Sequence, residues 1–208
     1  MAGAGAAAAA GASETLLGKR VSFDRMSRRI SVAGTSCSGK TTTSRVIAER
    51  LGVEHVELDA LFHGPNWSAP TKDAFQRRVC EKLDALDGWV ADGNYTGYLG
   101  TLVLERADTL VWLDLPLRVS MRRMSTRTLR RIRTREELWE SKNRESVSNV
   151  FFTRDSLFVW ALKAHFRHRR EWPARFAAHP HLELVRLRTQ REVDEWMATL
   201  PERHSPSQ

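Results

Sequence analysis

Hydrophobic positions along this chain fall into two kinds of stretch, separated by Gly and Pro. Short continuous apolar runs alternate with longer segments in which apolar residues recur every three or four positions. The first kind reads as buried strand and the second as amphipathic helix. On this pattern residues 29–33 form a first strand and 40–51 a helix closed by Gly52, with 53–58 a second strand. A loop carrying Gly64, Pro65 and Pro70 leads to a helix over 71–86, whose Phe75, Val79, Leu83 and Leu86 share one face. Residues 89–91 are a third strand running into Asp92-Gly93-Asn94, and 110–115 a fourth, stopped by Pro116. A basic helical stretch over 117–133, a helix over 155–170, a fifth strand over 182–187 and a helix over 191–200 complete the pattern. The last helix sets Val193, Trp196 and Met197 on one side. No internal repeat is visible.

Strands joined by helical crossovers predict an α/β fold, a five-stranded parallel sheet with helices on both faces. Ligands of such sheets bind beyond the carboxyl ends of the strands. The polar residues that directly follow each strand are therefore the candidates for chemistry.

The segment after the first strand, Gly34-Thr35-Ser36-Cys37-Ser38-Gly39-Lys40-Thr41-Thr42, satisfies G-x-x-x-x-G-K-[ST] between a strand and a helix. The glycines let the backbone curl so that its N–H groups face phosphate oxygens, and the helix adds the positive end of its dipole. Lys40 is placed for β- and γ-phosphates and Thr41 for Mg²⁺. Asp59 follows the second strand and Asp92 the third; Asp92 is expected to assist the metal, and Asp59 to orient or deprotonate an acceptor. Asp114, inside VWLDLP, reads equally well as structural or catalytic. Trp67 either flanks an acceptor or packs against the neighbouring helix.

Arginines crowd the stretch after the fourth strand: Arg118, Arg122, Arg123, Arg127, Arg130, Arg131, Arg133 and Arg135. Arg123 and Arg127 stand four apart on one helical face and are the pair expected to reach a transferring phosphoryl group. No His, Cys or acidic residues have zinc-site spacing.

Composition sharpens this picture in two ways. The 208 residues carry a net charge of +8, yet residues 118–175 alone hold sixteen Lys or Arg against six Asp or Glu. The local excess exceeds the total, so the basic character is regional and points to phosphorylated partners. Residues 1–26 form an Ala/Gly-rich segment expected to be a flexible tail, with one domain over 27–200, a basic lid over about 118–175, and a short tail over 201–208. The first twelve residues lack the charge and apolar core of an export signal. The two cysteines fit a reducing cytoplasm, and no apolar run is long enough for a membrane span.

Together, SVAGTSCSGKTT, HVELDALF, GWVADGNYTG and LERADTLVWLDLP resemble the adenylate-kinase-related small P-loop kinases, and within them the topology-modulation or adenylate-kinase-like group. The resemblance spans about residues 27–200. It implies ATP and Mg²⁺ bound by Lys40 and Thr41, Asp92-Gly93 beside them, and Arg123 and Arg127, seven and eleven residues past Pro116, as catalytic arginines. It implies a lid after them. Adenylate kinases continue Asp-Gly with Phe-Pro-Arg and place Thr and Arg after the second strand for AMP. Here Asn94-Tyr95-Thr96 and Leu58-Asp59-Ala60-Leu61 stand instead. The donor half of the pattern is intact, and an acid at Asp59 suits a hydroxyl acceptor. The expectation is thus an ATP- and Mg²⁺-dependent phosphotransferase acting on a small molecule. The alternatives are a nucleotide-switched, nucleic-acid-associated regulator, using the basic segment with Trp139, Phe151, Phe152, Trp160 and Phe166, or an ATPase without a small acceptor.

Overall fold

The computed structural model describes residues 28–134 and 157–201. Among them five strands form one sheet: β1 (Arg29–Gly34), β2 (Glu54–Glu57), β3 (Trp89–Asp92), β4 (Thr109–Leu113) and β5 (Glu183–Leu187). The order is β2-β3-β1-β4-β5 and every pair is parallel. The helices are α1 (Lys40–Leu51), α2 (Leu58–Phe62), α3 (Lys72–Asp84), α4 (Thr96–Leu99), α5 (Leu102–Arg106), α6 (Leu117–Thr134), α7 (Leu157–Ala177) and α8 (Gln190–Ala198). The expected tail over 1–26, the middle of the expected lid over 135–156, and residues 202–208 lie outside the described residues. So do Arg135, Trp139, Phe151 and Phe152.

Alternation along the central strand divides the core into two layers. Ile30 and Val32 of β1 pack with Val90, Val111 and Val185 against Ile47 and Ala48 of α1 and Val193 of α8. Ala33 joins Leu110 and Trp112 under Trp172 and Phe176 of α7. Beside that second layer, Val56, Trp89 and Ala91 pack on Phe75, Val79 and Leu83, the predicted apolar face of α3. Burial of each such large side chain contributes about 1.5–3 kcal/mol.

Three departures from the sequence pattern have local causes. β2 ends at Glu57 because Leu58, Leu61 and Phe62 stand at helical spacing and form one turn, α2, that packs into the core. Helices α4 and α5 are too short, at four and five residues, to show a period. Helix α7 runs seven residues beyond the expected Arg170, through Pro173, to Ala177. A proline normally reads as a helix stop. Here Trp172 and Phe176 are one turn apart, and their rings meet Trp112 with centroids 5.7 and 5.5 Å away. That burial outweighs the one lost backbone bond.

Asp114 resolves as structural. It is buried at the end of β4, accepting from Arg169 Nε of α7 at 2.9 Å and from Arg186 Nη2 of β5 at 2.6 Å. The Arg186 guanidinium also lies 4.1 Å from the Trp112 ring centroid. One carboxylate thus ties the sheet edge to the helix that covers it.

Candidate active site

The carboxyl end of β1 opens into the phosphate loop. Gly34 permits the entry: a β-carbon there would stand 2.5 Å from Ser38 Oγ and 3.1 Å from Leu113 Cβ. Cys37 and Gly39 both have positive φ, 61° and 100°, which turns successive N–H groups toward one side. Gly39 caps α1 without a side-chain hydrogen bond, and the first turn of α1 carries no acid. The amides there stay available to an anion. Thr35 is buried, with its hydroxyl 3.2 Å from Ser120 Oγ of α6. Ser36 and Thr42 lie on the loop and at the start of α1. Ser38 Oγ is buried without a hydrogen-bond partner among the described residues.

Lys40 leans back over this loop, donating to the carbonyls of Gly34 and Thr35, both at 3.0 Å. Burial pulls its ammonium below the usual lysine range; the carboxylates of Asp59 and Asp92 oppose that shift, and Arg127 adds to it. Lys40 therefore lies within the electrostatic reach of both acids and of Arg127.

Thr41 Oγ1 donates to Asp92 Oδ2 at 2.6 Å, and Asp92 is buried. The other Asp92 oxygen lies 3.1 Å from His55 Nε2 of β2. A hydroxyl and a carboxylate, both hard oxygens, stand side by side at the mouth of the loop, a donor set that fits Mg²⁺. No cluster of three or more His, Cys, Asp or Glu suited to a metal occurs among the described residues.

Helix α6 sorts its arginines by face. Arg118, Arg122, Arg130 and Arg133 are exposed, whereas Arg123, Arg127 and Arg131 are half-buried at four-residue steps. Arg123 Nη1 donates to the Ser38 carbonyl at 2.8 Å, and its Nη2 to Gln190 Oε1 of α8 at 2.6 Å. Arg127 Nε is buried without a hydrogen-bond partner among the described residues.

Beyond β2, Asp59 lies in the first turn of α2, not in an open loop. It accepts from the Tyr95 hydroxyl at 2.6 Å, which lies 3.5 Å from His63 Nε2. Burial, with the Asp59 charge and hydrogen bond behind it, drives the Tyr95 pKa far upward, so the phenol remains a donor. Burial pulls His63 downward, partly offset by Asp59. Trp67 is partly exposed, its ring edge-on to His63. Phe62, Phe75, Tyr95 and Tyr98 form a cluster with centroids 4.5 to 6.1 Å apart. Beyond it a cavity of about 50 Å³ runs between the β3–α4 loop, α5 and α7, lined by Asn94, Tyr95, Leu99, Val103, Trp172 and Arg175 among others.

Sequence reading passed over Asn94, Tyr95, His55, Ser120 and Gln190. Asn94 and Tyr95 carried a usable signal, since they directly follow the third strand. Gln190 carried none; only the fold brings it to Arg123.

No family model matches this chain. It is 31% identical over 108 residues to the cytidylate kinase of Pyrococcus horikoshii, covering 47% of this chain and 56% of that protein. It is 28% identical over 131 residues to the cytidylate kinase of Haloquadratum walsbyi, covering 56% and 66%. The chain thus matches less than two thirds of the length of these relatives. In three dimensions it is similar to the shikimate kinase of Acinetobacter baumannii in complex with shikimate, with a TM-score of 0.53 at 17% identity, over 85% of this chain and 91% of that one. The shikimate kinase of Bacteroides thetaiotaomicron aligns with a TM-score of 0.51 at 15% identity, over 84% and 96%. This chain therefore has the α/β fold and the phosphate loop of the P-loop small-molecule kinases.

Proposed function

We propose that this protein is an ATP-dependent phosphotransferase that moves the γ-phosphoryl group of ATP to a hydroxyl of a small acceptor. The observation that carries this reading is the geometry around the loop: Lys40 lies on the Gly34 and Thr35 carbonyls, Thr41 Oγ1 meets Asp92 Oδ2, and Arg123 reaches the Ser38 carbonyl. Lys40 would leave the Gly34 and Thr35 carbonyls for the β- and γ-phosphates. Arg123 and Arg127 would neutralise charge on the equatorial oxygens. Thr41 and Asp92 would hold Mg²⁺, which when bound supplies charge neutralisation across the β- and γ-phosphates.

In the transfer, the acceptor oxygen forms a bond to the γ-phosphorus as the bond to the β–γ bridging oxygen breaks. ADP departs and the acceptor proton passes to Asp59. The Tyr95 hydroxyl occupies one Asp59 oxygen and leaves the other for the acceptor. Positioning and charge neutralisation supply most of the acceleration. The basic segment over 118–175 is the region proposed to close over the donor, although the second half of α7 is already packed into the core.

The likeness to cytidylate kinases favours a second reading, transfer to a nucleoside monophosphate. Against it, the space between α2, α3 and the β3–α4 loop is filled by four packed aromatic rings. The cavity beside those rings has room for roughly three or four water molecules. Radiolabelled ATP tested against CMP, AMP, shikimate, gluconate and glycerol decides between them, with Lys40→Ala as control. Transfer to a small hydroxyl compound that Lys40→Ala abolishes is the expected result. Saturable transfer to CMP would select the second reading. ATP consumption with no phosphorylated product would leave an ATPase, and salt-dependent RNA affinity without transfer a nucleic-acid regulator.

A further inference from the structure

The β1–β3 ladder stops one step short of the phosphate loop, and a side chain continues it. Its last registered pair is Val32 with Asp92. One further register step would set Ala33 opposite Gly93, and the next Gly34 opposite Asn94. At Gly93 the chain turns, with φ of 145°, and a β-carbon there would meet Leu58 Cβ at 2.9 Å. The backbone of β3 therefore leaves the sheet just where Gly34 needs a partner. Asn94 supplies one. Its Nδ2 donates to the Gly34 carbonyl, while the Gly34 N–H points at its Oδ1, 3.5 Å away. A carboxamide has the same donor and acceptor as a peptide group, so it can stand in for the missing strand residue.

Gly34 is also where Lys40 rests, since the ammonium donates to the same carbonyl at 3.0 Å. When phosphates draw Lys40 away, Asn94 Nδ2 remains on that carbonyl. Without Asn94, moving the lysine takes away both side-chain donors of a buried acceptor beside the loop, and buried acceptors short of donors are costly. The neighbouring residue ties the same turn to the other half-site, because Tyr95 holds Asp59.

We infer that Asn94 is a positioning residue of the donor site: its carboxamide carries the β1–β3 pairing on to Gly34 and holds Gly34 in place when Lys40 transfers to the phosphates. The inference rests on the reading of the loop as an ATP site and on nothing about the acceptor.

Equilibrium binding of ATP, ADP and adenosine to the full chain, Asn94→Ala and Asn94→Asp tests it, alongside thermal unfolding of each. Asn94→Asp keeps the shape but replaces the donating nitrogen with oxygen. Asn94→Ala removes the amide without adding charge. Both variants are expected to bind ATP and ADP about tenfold more weakly, the loss of one net hydrogen bond. Adenosine, which offers Lys40 no phosphate, is expected to bind all three proteins alike. A residue that merely fills space would leave Asn94→Asp at wild-type affinity, and one that merely supports folding would weaken all three ligands together; either result overturns the inference. So does wild-type ATP affinity in Asn94→Ala. A wild-type chain that binds no ATP overturns the ATP-site reading as well, and so separates the two failures. If Asn94→Ala does not fold, Asn94→Asp and Asn94→Ser carry the same comparison.

Discussion

At the scale of single residues, three side chains hold one stretch of the loop backbone. Lys40 and Asn94 share the Gly34 carbonyl, and Arg123 takes the Ser38 carbonyl on the far side of the cradle. Gly34 itself has no room for a side chain: an added methyl meets Ser38 Oγ and, on the other side, the Leu113 Cβ and carbonyl at 3.1 Å. Gly34→Ala is expected to cost about 1–3 kcal/mol in urea unfolding, as overpacking does, and to weaken ATP binding. The two arginines differ in their state before ligand arrives. Arg123 is already bound to the loop and to Gln190, while Arg127 keeps a buried Nε without a partner among the described residues. Arg123→Ala or Arg127→Ala is expected to lower kcat by on the order of 10³. Gln190→Ala, which frees Arg123 without removing it, should cost about tenfold. Steady-state kinetics with the accepted substrate measures all three, and equal losses for Gln190→Ala and Arg123→Ala would mean Gln190 itself touches the substrate.

Elements were legible where they are long or strictly punctuated. Helix α1 starts at Lys40 and ends at Leu51 against Gly52, as the pattern predicts, because the phosphate loop fixes one end and a left-handed glycine the other. Helix α3 begins one residue after Thr71, whose hydroxyl accepts from the Ala74 N–H. What the pattern hid was set by tertiary contact. The extension of α7 depends on Trp112, sixty residues away from Trp172 in sequence, and the role of Asp114 depends on two arginines from different elements. Asp114 is almost fully buried, while Arg169 and Arg186 keep 47% and 26% of their side chains exposed. Their charges can therefore rehydrate when the acid is removed, which softens the usual penalty for breaking a buried pair. Asp114→Ala is expected to cost about 2 kcal/mol in urea unfolding. A change below a few tenths of that would mean the β4–α7 junction is held by ring packing alone.

At the scale of the molecule, the meeting of Thr41 with Asp92 beside the loop was readable from spacing, and the contact of Asp59 with Tyr95 was not. Lys40, Thr41 and Asp92 follow strands of a sheet whose order brings their ends together, so adjacency in the fold follows from the alternating pattern. The Asp59–Tyr95 pair needed the turn of α2 and the aromatic cluster, neither of which has a sequence period. The regional charge, too, changes meaning once placed. Arginines 123, 127 and 131 of α6 are half-buried, and α7 carries the buried His165 and His168, each with an Nδ1 lacking a hydrogen-bond partner among the described residues. His168 stacks on Trp172 with centroids 4.2 Å apart. Burial, reinforced by Arg167, Lys40, His165 and Arg175, pushes its pKa down to about 4. Between pH 6.5 and about 4 the unfolded chain therefore binds a proton that the folded chain refuses, so stability falls as pH falls through that window. His168→Phe keeps a ring on Trp172 and removes the titration. Its urea midpoint should match or exceed wild type at pH 7 and decline less on going to pH 4.5, while carboxylate protonation, common to both proteins, cancels in the comparison. Parallel declines would place the acid sensitivity elsewhere in the basic layer, and would mean that His168 takes up its proton as readily in the folded chain as in the unfolded one.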